Sequence, residues 1–76
     1  MPISSVDQNM IQRIADDVFD GKISTEKDLH RELKSSLNGY QTIEQLRLIV
    51  KEVALVKYGE NELRLVDSTA MRYLIK

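Results

Sequence analysis

The sequence predicts an all-α protein: a small bundle of three to four helices, over about residues 6–20, 25–37, 43–58 and 61–75. Three observations lead there. Aliphatic residues recur at helical spacing along most of the chain. Three glycines, Gly21, Gly39 and Gly59, divide it at intervals of about twenty residues, each where a helix could end, because glycine takes positive φ without steric cost. Threonines stand where two of the helices would begin. At 76 residues the chain has the size of a single small domain, residues 1–76, and the bundle is the whole of it.

In the first segment Val6, Met10, Ile14 and Val18 recur every four residues, with Ile11, Ala15 and Phe19 beside them, which is the pattern of an amphipathic helix. The second opens on "STEKD", where Thr25 and Asp28 have the spacing of a capping box with Asp in place of Glu. Leu29, Leu33 and Leu37 then form a narrow apolar seam on an otherwise polar helix. In the third, Thr42 is the expected N-cap. Ile43, Leu46, Ile49, Val50, Val53, Ala54 and Val56 form a stripe about 160° wide that is expected to hold the monomer together, while Leu48 and Leu55 point to the other side. The last segment, "ENELRLVDSTAMRYLIK", reads as a helix capped near Asn61, with Leu63, Val66, Ala70, Tyr73 and Leu74 on one face. Its alternative is a β-hairpin, "ELRLV" and "AMRYLI" around "DST", because Asp67, Ser68 and Thr69 are poor mid-helix residues.

A core of this size supplies little stability by itself, and small scaffolds usually add disulfides, a metal or self-association. The absence of cysteine rules out the first, and one histidine, His30, cannot supply a zinc site. Good helix packing or a second copy is what remains. The formal net charge of −1 gives no general attraction to nucleic acid or anionic membrane. No run is long and apolar enough for a membrane span, and "MPISSVDQNM" lacks the basic and apolar regions of a signal peptide. A cytoplasmic protein that does not engage the membrane is the expectation.

Residues that could carry chemistry are few. Asp16, Asp17 and Asp20 cluster near the end of the first helix, but "DDVFDGKISTEK" lacks the alternating oxygen ligands of a calcium loop, and a solvated face explains the three acids. His30 has no Ser, Cys or Asp in an identifiable relay. Tyr40, Tyr58 and Tyr73 lie near helix ends, where a ring can pack while its hydroxyl stays wet. Catalytic residues, cofactors and metal ligands are expected to be none. Lys27, Arg31 and Lys34 fall on one side of the second helix, opposite its leucines, and with Lys22 they form a basic ridge. Such a ridge suits phosphate groups or an acidic partner, or is a solvated face balanced by Glu26, Asp28 and Glu32. The short turn "DGKIS" admits a helix-turn-helix, although the ridge has no Asn or Gln to read adenine edges.

From Met10 to Leu37 the stretch "MIQRIADDVFDGKISTEKDLHRELKSSL" resembles the small enterobacterial connector proteins of the biofilm and acid-resistance regulator (AriR/YmgB-like) family. The resemblance rests on apolar residues at Met10, Ile14 and Val18, the glycine at Gly21, the lysine at Lys27 and the apolar residues Leu29, Leu33 and Leu37. Asn38 stands where the family commonly has Glu, and residues 60–76 have no counterpart. The resemblance implies a small helical dimer that acts in biofilm and stress-response regulation by binding other proteins, with DNA binding in some members.

The residues and the resemblance together lead to a non-enzymatic regulatory interaction module that binds a protein partner and forms a homodimer. Leu48, Leu55, Leu65 and Met71 are its expected interface. A nucleic-acid-binding transcriptional regulator using Lys22, Lys27, Arg31 and Lys34 is the alternative, as is a small phage or plasmid inhibitor of a host protein.

Overall fold

Capping residues set the helix boundaries much as their chemistry requires. The computed structural model describes residues 8–37 and 42–76, in which the chain forms α1 (Gln8–Asp20), α2 (Glu26–Ser35), α3 (Ile43–Tyr58), α4 (Glu60–Arg64) and α5 (Thr69–Leu74). Val6, Gly39 and Tyr40 lie outside the described residues. Thr25 caps α2: its hydroxyl accepts the Asp28 N–H at 3.1 Å. The return half of that box does not form, because the Asp28 carboxylate pairs with Arg31 at 3.4 Å. Thr42 makes the full box at the head of α3, accepting the Gln45 N–H at 3.1 Å while the Gln45 side chain accepts the Thr42 N–H at 2.8 Å. Reciprocal bonding of this kind satisfies two of the donors a helix start would otherwise leave open.

Gly59 ends α3 and begins α4 with φ 90° and ψ 150°, a conformation essentially restricted to glycine. It turns the chain sharply, so the tail folds back instead of extending α3. The tail is helical throughout its ordered elements, and no strand occurs among the described residues; the hairpin alternative is therefore corrected. The single helix expected over 61–75 is also corrected to two short ones. Ser68 is the reason: its hydroxyl accepts the Met71 N–H at 3.1 Å and starts α5 afresh. The polar residues that weakened the reading of one continuous helix are the punctuation between two.

The core is a layer of aliphatic side chains contributed by all five helices. Ile11, Ile14, Ala15 and Val18 of α1 meet Leu46, Val50 and Ala54 of α3, and Leu29 and Leu33 of α2 meet Ala70, Met71 and Leu74 of α5. Leu63 of α4 and Ile23 of the α1–α2 turn complete it. Ile23 is held there by its N–H, which donates to the Asp17 carbonyl at 3.0 Å. A polar stitch joins the tail to the second helix: the Glu26 N–H donates to the Thr69 hydroxyl at 2.9 Å, and the Ala70 N–H donates to the Ser24 carbonyl at 3.3 Å. The start of α2 and the start of α5 thus satisfy each other's open backbone groups.

Candidate functional site

The position of α3 in the bundle decides which surfaces remain for a partner. A helix turns by about 100° per residue, and the buried residues Leu46, Arg47, Val50 and Ala54 centre the core face about 50° away from the middle of the expected stripe. The rotation is toward Arg47. Its consequence is that Val56, expected inside, is 85% exposed, and Ile49 and Val53 sit at the margin. On the opposite flank Leu55, expected outside, packs partly against the core.

Arg47 explains the rotation. It is the one charged residue buried among those described, 6% exposed, and sequence periodicity passed it over because it is charged. Its guanidinium donates to the carbonyls of Leu74 at 2.8 Å and Tyr73 at 3.2 Å, the last turn of α5. From the other side Glu44 receives it in a two-pronged pair, Nε to Oε1 at 3.0 Å and the second nitrogen to Oε2. A cation at a helix C-terminus satisfies carbonyls that have no helical partner and opposes the helix dipole. The Arg47 guanidinium holds the Glu44 carboxyl below its ordinary range, and Glu44 raises Arg47 in turn. Two signals in the sequence could have revealed the arginine: it continues the core spacing Ile43, Arg47, Val50, Ala54, and Glu44 precedes it by three residues.

A second polar contact closes α1 on α3. The Asp16 carboxylate accepts from Lys57 Nζ at 2.8 Å, from the Tyr58 hydroxyl and from Gln12 at 3.3 Å. Lys57 first and Tyr58 second hold Asp16 below the usual carboxylate range, against the opposing effect of burial. The Tyr58 ring stacks on Phe19 with centroids 3.8 Å apart. The acidic cluster of α1 is therefore a latch in part: Asp16 faces α3, while Asp17 pairs with Arg13 at 3.6 Å. Among the described residues no group of three acidic or histidine side chains is placed to hold a metal ion.

The expected interface divides on inspection. Met71 is 1% exposed and belongs to the core, so its place in the interface is corrected: the α5 N-cap turns it inward against α2. Leu55 is half-buried beside Ile75, in a cleft of about 260 Å³ also lined by Lys51, Glu60 and Arg64. Leu48 and Leu65 are open to solvent, at 44% and 77% exposure. The apolar surface that sequence reasoning missed lies between α3 and α1, a shallow cleft of about 290 Å³ lined by Gln12, Glu52, Val53, Val56 and Lys57.

The basic ridge is where the sequence put it. Lys22, Lys27, Arg31 and Lys34 are all exposed, and His30 lies on the same side of α2, its ring 6.5 Å from that of Tyr73. Arg31 is tied to Asp28; Lys22, Lys27 and Lys34 have no carboxylate partner among the described residues. No helix is long and apolar enough to cross a membrane among the described residues. Compared with protein families, curated proteins and solved structures, the chain matches none.

Proposed function

We propose that this protein is a non-enzymatic regulatory interaction module of the cytoplasm that works as a homodimer and docks on a protein partner, with the outer face of α3 as the surface between copies. The observation that carries the reading is the ridge Leu48, Glu52, Val56, at four-residue spacing on the solvent side of α3, with 44% of Leu48 and 85% of Val56 exposed. Ile49 and Val53 lie beside it, half-buried. Four-residue ridges are the units by which helices pack on one another, and apolar anchors within a polar rim are the anatomy of a protein interface. The small core gives the second copy a physical role, since association adds the burial that a chain of this length lacks. The resemblance of residues 10–37 to dimeric connector proteins points the same way.

Leu48→Glu combined with Val56→Glu tests the reading. Both sites are on the surface of the single chain, so the double variant should keep its helical circular dichroism, while its urea midpoint should fall to a value that no longer rises with protein concentration. Sedimentation should show it at the 8.8 kDa of one chain, with the unaltered protein heavier. Equal masses for the two proteins would remove the proposal. Unfolding of the variant would show instead that the ridge belongs to the core.

A further inference from the structure

The pairing of charges is uneven over the molecule. Arg13, Arg31, Arg47, Lys57, Arg64 and Arg72 each stand within salt-bridge distance of a carboxylate. Among the described residues Lys22, Lys27, Lys34, Lys51 and Lys76 have no such carboxylate partner; Lys51 and Lys76 meet at the C-terminus, where Lys51 donates to the Lys76 carbonyl, and the other three lie on α2 or in the turn that leads into it. A chain with net charge −1 therefore carries a local strip of three lysines outside its ion pairs, on a helix whose Asp28 and Glu32 are engaged by Arg31 and Arg13 and whose Glu26 stands beside Lys27. Lys27 and Lys34 are seven residues apart, about 10 Å along the helix. His30 lies between them, and with Glu26 and Lys27 it lines a shallow depression of about 420 Å³.

We propose that this strip is a second docking surface, and that it receives a carboxylate-rich helical segment of a partner protein. The proposal rests on the reading of the molecule as a docking module and gives it a second face, so that one chain joins its own copy through α3 and an acidic partner through α2. Four features favour carboxylates over nucleic acid. The guanidinium of Arg31, the group best suited to grip a phosphate with two parallel bonds, is already engaged by Asp28 at 3.4 Å. Glu26 and Asp28 occupy the N-terminal turn of α2, where a continuous phosphate backbone would meet them and be repelled. A helix with acids two turns apart matches the separation of Lys27 and Lys34 and can leave the position opposite Glu26 uncharged. The ring of Tyr73 does not offer a stacking platform for bases, since Arg47 lies 5.7 Å over its face and His30 lies beside it.

The full chain is titrated with a fluorescein-labelled, alanine-rich helical peptide of about twenty residues bearing glutamates seven residues apart, and in parallel with duplex DNA of about twenty base pairs, at low and at moderate salt. The acidic peptide should bind more tightly than the duplex, and the amides it perturbs should fall in the Lys22–Lys34 region. Lys27→Glu with Lys34→Glu should weaken that binding by at least about tenfold with the circular dichroism unchanged. The Leu48→Glu, Val56→Glu variant should still bind the acidic peptide, with the same amides perturbed, which separates a failure of this face from a failure of the α3 surface. Absence of peptide binding at low salt, binding that survives reversal of both lysines, or a preference for the duplex would each overturn the proposal.

Discussion

The two flanks of α3 have similar aliphatic content and opposite fates. On one, Leu55 is half-covered by the tail beside Ile75; on the other, Val56, the next residue, is 85% exposed. Hydrophobicity does not separate them, since both carry branched aliphatic side chains at helical spacing. What separates them is a polar anchor. Arg47 reaches the last carbonyls of α5 on the closed flank, and Lys51 reaches the Lys76 carbonyl at 3.4 Å on the same side. The hydrophobic effect is non-directional, so it rewards burial of either flank. The directional bonds decide which one the tail covers.

The most damaging way to break this difference is to remove the anchor. Arg47→Ala leaves two carbonyls at the end of α5 without their donor, at a cost of about 2–4 kcal/mol. The loss should appear in urea unfolding, with faster hydrogen exchange concentrated in α5. An equal loss spread over α1 and α2 would mean that the arginine supports the whole bundle and not the closed flank alone.

Much of this was legible from the residues. Thr25 and Thr42 cap the helices they were expected to cap, and the boundaries of α3 match the expected 43–58, because capping and glycine chemistry act within a few residues of chain. The leucine seam of α2 likewise faced inward as its spacing required. The rotation of α3 was not legible. Periodicity gives the width of an apolar stripe, but the element that packs on it fixes its centre, and here the tail draws the centre toward Arg47 and leaves Val56 outside. The division of the tail was half-legible: Asp67, Ser68 and Thr69 signalled an interruption, and only the Ser68 cap shows it to be a restart. Of the candidate surfaces, the α2 lysines followed from spacing alone, since a narrow seam leaves its opposite side wet. Met71 did not, because its direction depends on where α5 begins.

A smaller effect sharpens the comparison from the α1 side. Asp16 has its folded-state pKa depressed by Lys57 and Tyr58, so its contribution to stability is present above the ordinary carboxylate value and lost as pH falls through the folded one. Lys57 and Tyr58 are raised, chiefly by Asp16, so their share is present below their ordinary values and lost as pH rises through the folded ones. Asp16→Asn should therefore lower the urea midpoint near neutral pH, with the difference from the unaltered protein closing below about pH 4. A difference that persists undiminished in acid would show that the latch works through shape instead of charge.

The claim that one flank is closed within the chain and the other between chains is tested most directly by methyl signals of Leu55 and Val56 in the presence of a soluble paramagnetic probe, followed across dilution. The account predicts that Val56 is shielded in concentrated solution and quenched on dilution, while the partial shielding of Leu55 stays constant. Quenching of Val56 at every concentration, or a change at Leu55 in step with it, would contradict the account.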